Sequence, residues 1–120
     1  MPESIPVVYG IANCDTIKKA RNWLKDHQIE YQFHDYKKLG TDKNQLAGWL
    51  QELGWEKLIN KRGTTWRKLD DETKSSMNND AAIEVMLDNP SIIKRPLLVI
   101  NDKIILGFNE NTYQQELLPK

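Results

Sequence analysis

The sequence predicts an α/β protein, a mixed four-stranded sheet with helices on its faces and a helical insertion in mid-chain. Three observations predict it. The chain opens with an apolar β-branched run, a helical period and a second, alternating run. Its middle reads as helix almost throughout. Its end carries two short apolar runs around Asn101-Asp102 and then one more helical pattern.

Taken in order, "IPVVYGI" (Ile5 to Ile11) is short, apolar and β-branched, which suits a buried strand. Asn13 to Thr16 supplies polar residues suited to an N-cap, and Ile17, Ala20, Arg21 and Leu24 follow at helical spacing to about Asp26. "IEYQFHDY" (Ile29 to Tyr36) sets Ile29, Tyr31, Phe33 and Asp35 against Glu30, Gln32, His34 and Tyr36, the alternation of a half-buried strand. A β-α-β order favours a parallel pair with a right-handed crossover.

Next comes a helix capped by Thr41 or Asp42, with Leu46, Trp49, Leu50 and Leu53 on one face and Gly54 as its stop. "EKLINKRGTTWRKL" reads as a basic loop and a short helical turn. "DDETKSSMNNDAAIEVMLDNP" starts polar and becomes helical from about Asn79 to Leu87, ending before Pro90. Leu97–Ile100 and Lys103–Leu106 form strands joined by the two-residue turn Asn101-Asp102. Asn109 then caps a terminal helix. The order β-α-β, helical block, β-β-α matches a thioredoxin-like arrangement. A single domain over residues 1–120 is expected, with its core in 5–36 and 91–118 and the insertion at about 41–90.

Composition bounds the function. Seventeen basic and seventeen acidic residues leave no net charge, so no basic excess invites nucleic acid or an anionic membrane. Apolar runs such as "PLLVI" are too short to span a bilayer. "MPESIPVVYG" has an early acid and no long apolar core, unlike a signal peptide. One cysteine cannot form an internal disulfide, and a reducing cytoplasm is the simplest compartment. No metal site is expected, because Cys14, His27 and His34 lack ligand spacing.

That cysteine, Cys14, falls where a strand ends and a helix begins. Unpaired N–H groups and the positive end of the helix dipole stabilise a thiolate there. Lys18 and Lys19 add positive charge, while Asp15 opposes it. The alternative is a small buried core residue. Pro96 in "KRPLLV" precedes a strand, where thioredoxin-like folds place a cis-proline against the active cysteine, and Arg95 would then project toward Cys14. Arg62 precedes a glycine in the basic loop. Its planar fork suits a carboxylate or oxyanion, though taken alone a plain surface charge is the better reading.

Through "VVYGIANCDTIKKARNWL", "LINKRGTTWRKL" and "IIKRPLLVINDKIILGFNENTY" the chain resembles the arsenate reductase (ArsC) family, which also contains the regulator Spx, and within it the YffB-like branch. The resemblance implies a thioredoxin-like domain with Cys14 as nucleophile and Arg62 and Arg95 holding an oxyanion. Arsenate reductases of the family carry a further arginine after the last hairpin, whereas this chain has none after Arg95. Spx-type members carry a second cysteine three places on, where this chain has Ile17. The implied activity is a glutathione-dependent monothiol reductase with no bound cofactor. Glutathione is its co-substrate, glutaredoxin a further partner, and the protein a cytoplasmic monomer. Arg62, Arg95 or Lys18 would receive glutathione's carboxylates, with Pro96 beside the sulfur and Thr16 donating to the thiolate or capping the helix. Arsenate reduction and an Spx-like module binding RNA polymerase are the alternatives.

The remaining conspicuous residues are read as structural. Trp23, Trp49, Trp55 and Trp66 are expected to pack between helices and sheet. Asp70 to Glu72 is expected to be a solvated or capping run.

Overall fold

A computed structural model describes residues 5–118. The reading of the N-terminus as no signal peptide falls partly on residues 1–4, outside the described residues. Two compact units make up the chain. One joins residues up to Asp35 with those from Arg95 onward, and the other is Tyr36–Lys94.

The first unit holds β1 (Val7–Gly10), α1 (Asp15–Asp26), β2 (Gln32–Asp35), β3 (Leu97–Ile100), β4 (Lys103–Leu106) and α8 (Glu110–Leu117), counting helices along the whole chain. The strand order is β2-β1-β3-β4, with β1 parallel to β2 and the other pairs antiparallel. Crossover through α1 imposes the parallel pair. Asn101, at φ 54°, turns β3 tightly into β4. One side-chain row crosses all four strands in register, Phe33–Val8–Leu98–Ile105. On this row α1 seats Ile17, Ala20, Trp23 and Leu24, and α8 seats Tyr113. The faces match because these α1 residues recur every three or four positions. Burying Ile17 or Leu24 contributes about 1.5–3 kcal/mol each. Trp23 and Phe108 both meet the Tyr113 ring edge-on, with centroids at 5.5 and 5.0 Å.

β2 is shorter at both ends than the alternation predicts. Instead of opening β2, Ile29 donates its N–H to the Leu24 carbonyl, closing the end of α1. Tyr36, expected to end that strand, is 3% exposed and begins α2 (Tyr36–Leu39).

In the second unit α3 (Lys43–Leu53) is capped by Asp42, which accepts from the Gln45 N–H at 2.8 Å. It stops at Gly54, whose φ of 86° favours glycine. The basic stretch holds two short helices, α4 (Trp55–Leu58) and α5 (Thr64–Lys68), rather than one turn. The polar stretch expected to precede a helix is itself helical, α6 (Asp71–Ser75), because Asp70 caps it through the Thr73 N–H. There follow α7 (Asn79–Asp88), capped by Asn78, and a 3-10 turn at Pro90–Ile92. Leu46, Trp49, Leu50, Leu58 and Met86 are buried. Trp55 and Trp66 both belong to the helical unit. Both are half-buried and stack on each other at 6.1 Å. Among the described residues no helix is long and apolar enough to cross a membrane.

Candidate active site

Four residues after β1 the chain turns into α1, and Cys14 is the residue at that corner. Its N–H donates to the Ala12 carbonyl at 3.0 Å, closing the turn. Its carbonyl accepts the first helical bond, from the Lys18 N–H at 3.0 Å. Cys14 is thus itself the N-cap, with extended backbone and no side-chain capping bond. This corrects the expectation of a cap from a polar side chain in Asn13–Thr16. Thr16 lies exposed in the first turn and makes no side-chain hydrogen bond among the described residues. The amides of Asp15, Thr16 and Ile17 have no protein acceptor among the described residues, the ordinary state of a helix start. Cys14 is half-buried and packs against the core cluster under α1, so it is neither sealed in hydrocarbon nor freely exposed.

Two features fix the corner. Gly10 ends β1 under Ile17, and a Cβ there would overlap Ile17 Cδ1. The same hypothetical Cβ would lie 3.8 Å from Arg95 Cγ, so the Arg95 stem runs over Gly10. The Arg95–Pro96 peptide is cis. Since Tyr9 pairs with Leu97, the Arg95-Pro96 segment and the β1–α1 loop leave the sheet at the same end. The Pro96 carbonyl accepts from the Gly107 N–H at 2.8 Å, which ties this segment to the residue after β4.

Cys14, Thr16, Lys18, Arg95 and Pro96 therefore all belong to the sheet unit. Arg62 belongs to the helical unit, exposed at a turn where its N–H donates to Asn60 Oδ1 at 3.1 Å. Among the described residues no carboxylate pairs with Lys18, Arg62 or Arg95, so all three charges are open to an anion. Arg21 is committed elsewhere. Its guanidinium lies 4.2 Å from the Phe33 ring centroid, and its Nε donates to the Tyr31 hydroxyl at 3.0 Å.

One feature escaped the sequence. An open groove of about 520 Å³ runs between α1 and the start of α8, lined by Thr16, Lys19, Phe108, Asn109, Glu110 and Asn111. Its residues come from opposite ends of the chain, and only the sheet brings them together.

A parallel β-α-β half, an antiparallel hairpin half, a cysteine at the first helix start and a cis-proline before the third strand define a thioredoxin-like protein built around a single thiol. The ArsC family pattern matches residues 9–116, and the chain belongs to the ArsC family. It is 50% identical over 107 residues to an uncharacterized protein of Haemophilus influenzae, covering 89% of this chain and 94% of that one. It is 30% identical over 101 residues to the global transcriptional regulator Spx of Streptococcus pyogenes serotype M3, covering 82% of this chain and 75% of that one. Among solved structures, the YffB protein superposes with a TM-score of 0.89 at 46% identity, covering 93% of this chain and 98% of that one.

Proposed function

We propose that the protein is a glutathione-dependent monothiol reductase. The observation that carries this reading is a half-exposed cysteine at the start of α1, its side chain unused by capping, at the sheet end from which Arg95 and Pro96 also depart. Kinship with YffB supports it. The chemistry runs in two exchanges. The Cys14 thiolate attacks the glutathione sulfur of a mixed disulfide RS–SG, forming Cys14–S–SG and expelling RS⁻. A glutathione thiolate then attacks that bond, releasing oxidised glutathione and restoring the Cys14 thiolate. The net change is RS–SG plus GSH giving RSH plus GSSG, and RS⁻ takes up the proton that GSH gives. Position 17 is Ile, so the second thiol comes from outside this chain's first helix turn. Arg95 and Lys18 act as cationic partners for the anionic groups, and a reducing cytoplasm supplies the glutathione.

The test is intact-mass detection of glutathione on Cys14, with steady-state turnover of a glutathionylated substrate. Both disappear in Cys14→Ser, and Arg95→Ala slows turnover severalfold. Turnover that survives Cys14→Ser would end this reading. Similarity to Spx favours a second one, a regulatory module that binds RNA polymerase. Capture of the polymerase α subunit together with an inert Cys14 would select it. Arsenate turnover lost in Arg95→Ala would instead select arsenate reduction, which the name of an arsenate-reductase-related Brucella melitensis structure at 46% identity keeps in view.

A further inference from the structure

One face of α1 is cationic. Lys18, Arg21, Asn22 and Lys25 recur three or four residues apart, so they neighbour one another along the helix. With Tyr31, just before β2, they line a groove of about 350 Å³. Among the described residues none of the three cations pairs with a carboxylate. The chain as a whole carries no net charge, so one sign is concentrated here locally. Arg21 is also held ready. Its guanidinium lies over the Phe33 ring, 4.2 Å from the centroid, and its Nε donates to the Tyr31 hydroxyl at 3.0 Å. Neither terminal nitrogen has an acceptor among the described residues. A fork fixed at Nε and open at its tips loses little further freedom when it grips an anion.

The spacing selects the anion. Along the axis Arg21 stands about 4.5 Å beyond Lys18, and Lys25 about 6 Å beyond Arg21. A single phosphate or carboxylate bridges one such interval and leaves the other open. In an extended peptide, residues two apart lie about 6.6 Å apart on the same face, so two acids at that spacing meet successive cations. A second groove, of about 430 Å³, shares Lys25 and Tyr31 with the first and adds half-buried Ile29 and exposed Glu30. An apolar side chain suits Ile29 and Tyr31, while Glu30 turns away a further acid. We propose that the two grooves together dock an extended acidic segment of a partner protein. Two carboxylates meet Lys18, Arg21 and Lys25, and one apolar side chain beyond them rests on Ile29 and Tyr31. A long polyanion such as single-stranded nucleic acid fits less well, because Glu30 repels the charge that continues past Lys25. The proposal does not rest on the glutathione reading.

The probe is a blocked octapeptide with two glutamates two residues apart and a leucine two residues beyond the second. In an NMR titration carried to millimolar peptide, the amides of residues 18–25 and 29–31 shift, and the binding weakens as salt is raised. Glutamine in place of both glutamates abolishes these shifts. Serine in place of the leucine abolishes those of Ile29 and Tyr31 alone. Lys25→Gln, a change at an exposed side chain, weakens binding about two- to fivefold, the range for solvent-exposed charge pairs. Arg21→Lys, which keeps the charge and loses the fork, also weakens it. Three results overturn the proposal: no shifts at these positions, equal affinity for the glutamine peptide, or unchanged affinity in Lys25→Gln. Tighter binding of a single-stranded oligonucleotide at the same amides would overturn it as well, by assigning the face to nucleic acid.

Discussion

Replacing Gly10 by alanine probes the corner that positions the thiol. The added methyl would overlap Ile17 Cδ1 and approach Cγ1 to 3.1 Å, and Ile17 is fully buried with no space to retreat into. Overpacking of this kind costs about 1–3 kcal/mol. With an unfolding entropy of about 2.1 cal/mol/K per residue, a 120-residue chain loses roughly 4 °C in Tm per kcal/mol. Gly10→Ala should therefore lower Tm by about 4–12 °C, read by far-UV circular dichroism. The partner variant tells overlap from general damage. Ile17→Val deletes the overlapped Cδ1 and alone costs about 0.5–1.5 kcal/mol. If the overlap is the cause, the double variant loses less than the sum of the singles, with a coupling of about 1 kcal/mol or more in its favour. The rescue is partial, since the Cγ1 contact persists. A neutral Gly10→Ala, or strict additivity, would refute this account of the corner.

Two further predictions concern titration. The Tyr113 hydroxyl is buried without a hydrogen-bond partner among the described residues, and burial pushes its pKa far above the ordinary tyrosine value of 10.0. Above pH 10 the unfolded chain releases this proton while the folded protein keeps it. Stability that is full below pH 10 therefore falls as pH rises, at about 1.4 kcal/mol per pH unit. Tyr113→Phe should raise stability at pH 7 by about 1 kcal/mol and flatten the alkaline fall in urea titrations. Asp70 behaves oppositely. Its hydrogen bonds with Thr73 hold its pKa below 3.8, so its contribution is present above that value and is lost as pH falls through the folded pKa. Asp70→Asn, which retains the capping oxygen, should leave the pH 7 midpoint nearly unchanged and lessen the acid dependence below about pH 4.

The sheet unit was readable because its signals are local. The β-branched run at Leu97–Ile100, the Asn101 turn and the Asn109 cap each declare themselves within a few residues. Cys14 at the helix start follows from where the apolar run stops. Three features were not readable, each for its own reason. Tyr36 continues the alternation of β2, and only its burial at the start of α2 reveals a helix. The residues of α6 are all at least partly exposed, so no apolar period marks it. It is held by the Asp70 cap and by the Ser75 and Ser76 hydroxyls donating to the Glu72 carbonyl. In sequence Lys19 reads only as positive charge near Cys14 and Glu110 carries no signal, and their opposition across one groove arises only from packing α1 and α8 on the same sheet.

The pairing of Val8 with Phe33 on one side and with Leu98 on the other has a consequence for synthesis. A nascent chain leaving the ribosome can form its first β-α-β element early, but the strand that follows Pro96 emerges only after the whole of residues 36–94. Until then Cys14 has no Arg95 above Gly10 and no proline at its end of the sheet. A ribosome stalled before residue 95 would thus display the thiol without the companions that Arg95 and Pro96 bring.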